Sequence, residues 1–311
     1  MSKIHSIKTV KLTKPTTLYD IGVDGNNNYF VYDNTLSTGV LVHNCHGTSS
    51  NTGLKIINSL NTRYLLGLTA TPDRKDGRYF LTDLTLGPVI HETAAESLKP
   101  SVEVVKTEFK TEHANWTYGQ RAIEKDEDLN ELIIKHVIAD VQAGHSIIIP
   151  VYFVSHCLDL TKAINKAAVA ADMDKIAVSF DGSMKKMDRQ KAIKDMRTGK
   201  KKVLVGLKQI VSTGVNIGCA SAIYEFVPSS NLPKAEQRLS RVLTPMPGTD
   251  KLHPIVKYFL LNTSSAKACL RNELNNVLIK VLGARMSDFT KQTLKQYLSK
   301  NGFDDKPTKE L

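Results

Sequence analysis

Apolar residues along this chain come in two rhythms. In the first 44 residues they fall in short bursts, LYDIGV, NYFVYD and GVLV, separated by Gly and Asn clusters, which predicts short β-strands. After residue 46 the bursts lengthen and alternate with amphipathic stretches. IIIPVYFV (147–154), KIAVSF (175–180), KKVLVGL (201–207), SAIYEFV (221–227) and PIVKYFLL (254–261) predict strands. His156–Ala168 and Lys185–Arg197 predict helices, and the tail from Ser264 is helix-rich and dotted with lysine. Strand–helix alternation argues for a parallel, doubly wound α/β sheet. Strands that are apolar almost throughout suit a sheet covered on both faces.

A length of 311 residues allows two or three domains, each with its own core. No apolar run approaches the ~20 residues of a membrane span, and no apolar stretch follows the basic start MSKIHSIKTVKLTKPTT, so neither a membrane span nor a signal peptide is expected. Cys45, Cys157, Cys219 and Cys269 are widely spaced without a CxxC pair, which fits a reducing compartment and argues against a zinc site or disulfide framework. The net charge is +11. Lys3, Lys8, Lys11 and Lys14 against Asp20, Asp24 and Asp33 leave +1 in residues 1–44, so +10 lies beyond them. Such an excess indicates a polyanionic partner or a solvated basic face.

The first region ends in three apolar residues and then His43, Asn44 and Cys45. An Asn side-chain amide can attack its own main-chain carbonyl, closing a succinimide and cleaving the bond that follows. The preceding His can assist the leaving amine, and the following Cys can accept an acyl group once its thiol is activated. Holding these groups in place supplies most of the acceleration. The stretch resembles the C-terminal end of inteins at Tyr19, Asp20, Ile21, Val23, Asn28, Phe30, Gly39, Leu41, His43 and Asn44. Asp20 falls on the aspartate that tunes the downstream cysteine. Asn27 stands where the family often has histidine, and the turn from Tyr32 to Thr38 is longer than usual. The resemblance implies a Hint-type all-β fragment. With Met1 read as a start, no first-residue nucleophile and no N-terminal Thr/His block, it implies the C-terminal member of a split intein that splices in trans with a partner chain.

The rest of the chain carries a second set of motifs. Gly67-Leu68-Thr69-Ala70-Thr71-Pro72, extended by Asp73-Arg74-Lys75-Asp76-Gly77, resembles motif III of superfamily-2 helicases and its flank. IIIPVYFVSH resembles motif IV. FDGSMKKMDRQKAIKDMRTGKKKVLVG resembles the approach to motif V, and Ser212-Thr213-Gly214-Val215-Asn216-Ile217 motif V itself. Gln237-Arg238-Leu239-Ser240-Arg241 resembles motif VI, QxxGRxxR, with Ser240 for Gly and Thr244 for the last Arg. The order is that of phage UvsW-type DNA helicases. These enzymes have a DExH box; the helicase part here begins Cys45-His46, so a partner ending in Asp-Glu would restore it on splicing. No GxxxxGK[ST] phosphate loop occurs in the sequence.

The resemblances imply four regions: a split-intein fragment (1–44), the end of a first RecA-like domain (45–125), a complete second RecA-like domain (126–263) and a basic helical tail (264–311). They imply Cys45, Asn44, His43 and Asp20 as splicing residues. In the spliced product His46, Gln237, Arg241 and Arg238 would serve ATP hydrolysis. Thr69, Ala70, Thr71, Thr213, Gly214 and Asn216 would couple nucleotide to nucleic acid. Because Thr244 carries no charge, either Arg238 and Arg241, three residues apart on one helix face, form the arginine pair, or Arg241 acts alone with Arg238 facing solvent or DNA. ATP and Mg2+ are expected after splicing, with no metal site in this chain alone. The expected partners are the N-terminal chain bearing the Walker loop and Asp-Glu, and DNA, with RNA left open. The expected setting is the cytoplasm of a phage-infected bacterial cell. A non-enzymatic alternative is an unspliced basic nucleic-acid-binding protein without ATPase activity.

Overall fold

The computed structural model describes residues 28–33, 38–44, 54–55, 65–68, 79–90, 98–111, 116–212, 217–226, 228–245 and 251–299. The chain divides into two compact units, one of residues 1–72, 79–88 and 247–249, the other of 73–78, 89–246 and 250–311.

In the first unit β1 (Asn28–Asp33) and β2 (Thr38–Asn44) form an antiparallel pair, Asn28 opposite His43 and Asp33 opposite Thr38. β3 (Leu65–Leu68) lies parallel to β2, with Leu41 opposite Leu65 and Asn44 opposite Leu68. Helix α1 (Tyr79–Leu86) belongs to the same unit. The strands predicted around NYFVYD and GVLV are present. Among the described residues a separate all-β fragment ending at Asn44 is not shown: β2 pairs with β3, which lies beyond residue 44.

The second unit is built on a seven-stranded sheet in the order β10-β4-β9-β8-β5-β7-β6, in which every neighbouring pair is parallel. The strands are β4 (Ser101–Lys106), β5 (Ile147–Val151), β6 (Ala177–Phe180), β7 (Val203–Leu207), β8 (Ala222–Glu225), β9 (Ile255–Leu260) and β10 (Arg285–Met286). Helices α2 (Trp116–Lys125), α3 (Glu127–Gln142) and α4 (Val154–Ala170) share one core with Ile147, Ile149, Val203 and Tyr224. α5 (Lys186–Arg197), α6 (Lys208–Ser212), α7 (Leu232–Leu239), α8 (Ser264–Glu273) and α9 (Asp288–Ser299) share the other with Ile148, Leu204, Ile223 and Val256. Alternate strand residues thus feed opposite cores, and both faces are covered, as the continuous apolar runs require.

The unit extends past both expected boundaries. β4 pairs along its full length with β9, so the sheet begins before residue 126. The tail after 264 is not an appendage, because Leu270, Leu274, Leu278, Leu294 and Leu298 are buried in the second core. Helix α4 also starts two residues earlier than expected, at Val154. β5 pairs with β7 over five rungs but with β8 only at Ile147 and Ile148, before Pro150, which has no N–H for a ladder. There β5 and β8 part, and the carboxyl edge of the sheet opens.

Candidate functional site

Open parallel sheets bind ligands outside the carboxyl ends of their strands. Around the gap between β5 and β8 this edge presents Tyr152, Lys208 and Glu225, and the helix that follows β8 carries the motif VI residues. Gly206 in β7 makes the approach possible. A Cβ there would lie 2.7 Å from Val211 Cγ2 and 3.3 Å from the Phe180 carbonyl oxygen, so only glycine lets α6 fold back at once on β7. This turn sets Lys208 against the end of β8.

Helix α7 starts from Asn231, whose side chain accepts a bond from the Lys234 N–H at 3.3 Å, with Pro233 in the first turn, where its missing N–H is harmless. Ala235, Arg238 and Leu239 form its buried stripe, at helical spacing. Arg238 is fully buried. Its Nε donates to Glu225 Oε1 and its Nη2 to Glu273 Oε1 at 3.1 Å. Glu225 Oε2 lies 3.5 Å from Lys208 Nζ, and Glu273 Oε2 accepts the Ser229 N–H at 2.8 Å. The Lys208 ammonium sits 5.2 Å from the Tyr152 ring centroid. Two cations thus face two carboxylates in a dry interior.

Burial dominates the electrostatics. Loss of solvent, then repulsion from Arg238, pulls the Lys208 ammonium down to about 8 against the attraction of Glu225 and Glu273. Loss of solvent likewise raises the Glu273 carboxyl, although Arg238 opposes it. For Arg238 burial works against the charge, yet Glu225 and Glu273 outweigh it and hold the guanidinium protonated. A matched buried set is tolerated, whereas an unmatched member is strongly unfavourable.

The arrangement separates the two arginines. Arg238 lies inside the core and neither pairs with Arg241 on an open face nor faces solvent or DNA. Arg241 lies in a single 3-10 turn (Ser240–Val242) that tightens the end of α7; it and Gln237 are half-buried, and Thr244 is exposed. Arg241 is therefore the motif VI cation next to the surface. His43 and Asn44 end β2, where they lie opposite Gly67 and Leu68 of β3. Asp20, Cys45, His46, Thr69, Ala70, Thr71, Thr213, Gly214 and Asn216 lie outside the described residues. Among the described residues no group of three or more His, Cys, Asp or Glu side chains could hold a metal ion. The donors Gln237 and Arg241 do fit phosphate oxygens.

Sequence reasoning missed Glu225 and Glu273. A signal for Glu225 existed: an acid inside the apolar run SAIYEFV must meet a buried cation if the strand is covered on both faces. Lys257 in PIVKYFLL obeys the same rule. Its ammonium lies 2.6 Å from Asp140 and 3.2 Å from Glu103, and Tyr224 OH donates to Asp140 at 2.6 Å.

Residues 124–244 match the family model described as the helicase conserved C-terminal domain. No curated protein matches the chain. Among solved structures, S. cerevisiae Dbp5 bound to RNA and ADP BeF3 is similar with a TM-score of 0.54 and 14% identity, over 83% of this chain and 63% of that one. A fragment assigned to the HsdR subunit of a type I restriction enzyme from Vibrio vulnificus is similar with a TM-score of 0.55 and 14% identity, over 71% of this chain and 43% of that one. The chain therefore spans less than two thirds of either protein, and at this identity the likeness is one of fold. None of these matches supports the intein-fragment or UvsW-type reading. The parallel-sheet unit fits a RecA-like fold, and residues 124–244 are similar to the helicase conserved C-terminal domain.

Proposed function

We propose that the parallel-sheet unit is the second motor domain of an ATP-dependent superfamily-2 helicase or translocase acting on DNA, and that its first domain is completed by a partner chain. The observation that carries this reading is the helicase-domain match over 124–244, whose last turn contains Gln237 and Arg241. ATP with magnesium supplies the phosphoryl group and most of the charge compensation when bound. The residues of this chain orient and neutralise. Arg241 would bring its fixed positive charge to the γ-phosphate, where negative charge gathers during transfer, and Gln237 would donate a hydrogen bond beside it. Arg238 belongs to the support of this turn: anchored to β8 and α8, it fixes the helix from which Arg241 projects. His46 would join the box completed by Asp-Glu of the partner. Thr69, Ala70, Thr71, Thr213, Gly214 and Asn216 would link nucleotide state to grip on the strand, mainly through phosphates.

The join is assigned to protein splicing in trans at Asn44–Cys45, in the cytoplasm of a bacterial host. The acyl group of the upstream segment, held as a thioester or ester on the partner's first intein side chain, would pass to the Cys45 thiolate and free that side chain. The Asn44 side-chain nitrogen then attacks the Asn44 carbonyl carbon, a succinimide forms, and the bond to Cys45 breaks, with His43 assisting protonation of the leaving amine. After Cys45 is released from Asn44, its amine would take the acyl group from its own sulfur, leaving a peptide bond and a free thiol. Asp20 tunes the thiol. Intact-mass measurement after mixing with the partner tests the join: Asn44→Ala should stop release, and Cys45→Ala should stop transfer. A normal ligated product from either variant overturns it. The alternative, an unspliced nucleic-acid-binding protein, draws on the +10 charge beyond residue 44 and predicts DNA binding with no ligation at all.

A further inference from the structure

The turn that carries Arg241 is tied at its far end. The Leu243 N–H donates to the Ser240 carbonyl at 3.0 Å, closing the turn, and the Leu243 carbonyl accepts the Leu98 N–H at 3.0 Å from the segment leading into β4. The next carbonyl, that of Thr244, accepts the Lys251 ammonium at 2.8 Å. The same ammonium donates to the Gly218 carbonyl at 3.0 Å. Gly218 follows directly on the sequence that resembles motif V, in a turn closed by the Ala220 N–H on the Ile217 carbonyl at 3.0 Å. A single nitrogen therefore holds the main chain just after motif V and just after the motif VI turn.

The base of this lysine is fixed. Lys251 stands just before β9, where the Pro254 carbonyl accepts the Ser101 N–H at 2.8 Å and the Ile255 N–H donates to the Ser221 carbonyl at 2.9 Å. These bonds pin the stretch to β4 and to the start of β8, so the lysine stem reaches out from an anchored strand end. An ammonium has three donors, and bonds from a charged donor are roughly twice as strong as neutral ones. Lys251 is half-buried, and loss of solvent pulls its ammonium down to about 8, with the Cys219 thiol acting the other way. Because both acceptors are main-chain carbonyls, the lysine constrains backbone path. If either loop moves, the nitrogen must follow it or release the other. Placement matters for a cation that acts in a transition state, since a shift of about 1 Å can cost roughly 10²-fold in rate.

We propose, on the helicase reading of Arg241 and motif V, that Lys251 is a positioning residue: it holds the exit of motif V and the Arg241 turn in one register, so that nucleic-acid binding at the first sets the cation of the second. It acts through the two loops and not on the reacting atoms.

The test compares Lys251→Met, which removes the donors and keeps most of the volume, with Lys251→Arg, which keeps charge and donors. Hydrogen–deuterium exchange on the full chain reads the tie without ATP. Lys251→Met should speed exchange of the Ala220 and Leu243 amides together, by about ten-fold or more, and Lys251→Arg should restore most of the protection. Protection unchanged, or lost in one segment alone, overturns the proposal. In the joined product, ATP turnover is followed with and without DNA. Lys251→Met should lower the ratio of DNA-stimulated to DNA-free kcat about ten-fold with KM for ATP within about two-fold, and Lys251→Arg should recover most of the ratio. A merely structural role would lower both turnovers alike, and an unchanged ratio overturns the proposal. The pH profile gives a further reading. As pH rises through 8 the ammonium loses its proton and the two bonds lose their charge, so the ratio should fall more steeply in the parent than in Lys251→Arg; equal steepness counts against the proposal. Cys219, whose thiol burial pushes up while Lys251, Arg197 and Lys202 favour the thiolate, is the other titrating group here, and Cys219→Ser should keep the steep fall. Should Lys251→Met fail to fold, Lys251→Gln, which keeps one donor group without charge, replaces it in both measurements. Absence of turnover from the unaltered joined product would fail the helicase reading instead, and the exchange result stands apart from that.

Discussion

Beneath the end of β8, Lys208 and Arg238 face Glu225 and Glu273, all buried, two cations to two carboxylates. At the ends of β4 and β9, Lys106, Lys110 and Lys267 line an open cavity with Glu108 as its carboxylate. Both groups use long cationic side chains on neighbouring strands of one sheet. The first is balanced in charge within the fold. The second sets lysines at an open edge of the sheet, two of them exposed. Matching within reach, rather than residue type or helix spacing, separates a cation that builds the domain from one that serves it. Arg238 falls on the building side of that division.

The comparison can be broken most forcefully at Arg238. Arg238→Met leaves two buried carboxylates to Lys208 alone and should reduce stability by roughly 3–5 kcal/mol, read from the denaturant midpoint. Adding Glu273→Gln alone should recover part of that loss, because Lys208 still faces Glu225 and the buried charges again match one to one. A single variant as stable as the parent would mean that Arg238 is not held as described.

A buried group without a counter-ion extends the contrast. His156 is 4% exposed, its Nε2 lies 3.0 Å from Asn130 Oδ1, and burial pulls its imidazole down to about 4 despite Glu124 and Asp159. Its folded value lies below the usual His value of about 6.5, so the unfolded chain binds more protons between the two. The stability His156 gives is therefore full above pH 6.5 and is lost as pH falls towards 4, by roughly 3 kcal/mol in all. His156→Gln should flatten this part of the stability–pH curve. An unchanged curve would place the acid sensitivity elsewhere.

Gly206→Ala tests the turn that delivers Lys208. The new methyl meets Val211 and the Phe180 carbonyl, and a loss of about 1–3 kcal/mol is expected in thermal unfolding. The smallest change should come from the open edge: Lys106→Ser with Lys110→Ser should alter stability by no more than about 0.5 kcal/mol in the same measurement. A large loss of stability there would make those lysines part of the architecture and erase the contrast.

Much of the parallel sheet was legible. IIIPV, AVSF, VLVGL, AIYE and IVKYFL became strands because their side chains could be buried on both faces. β4 was missed: SVEVVK alternates weakly and is recognised only by the partner strand it finds in β9. The tail was read only as a basic helical tail because its lysines are conspicuous, whereas its leucines at 270, 274, 278, 294 and 298 mark a core face. At the site, Gln237 and Arg241 could be picked by motif. The role of Arg238 could not, since its partner Glu273 lies 35 residues away and only the fold brings them together. The lysines at the ends of β4 and β9 carry no local signal for the same reason.

The central claim is that this chain contributes Arg241, and not Arg238, to ATP hydrolysis by a motor completed from a partner. Steady-state ATP turnover at saturating ATP and DNA tests it most directly, measured on the chain alone and on the joined product, unaltered and with Arg241→Ala or Arg238→Lys. The account predicts no turnover from the chain alone and robust turnover from the joined product. Arg241→Ala should lower kcat by roughly 10³-fold or more at unchanged stability, and any loss with Arg238→Lys should track its loss of stability. Turnover by the chain alone, or near-normal turnover by the joined Arg241→Ala product, would contradict it.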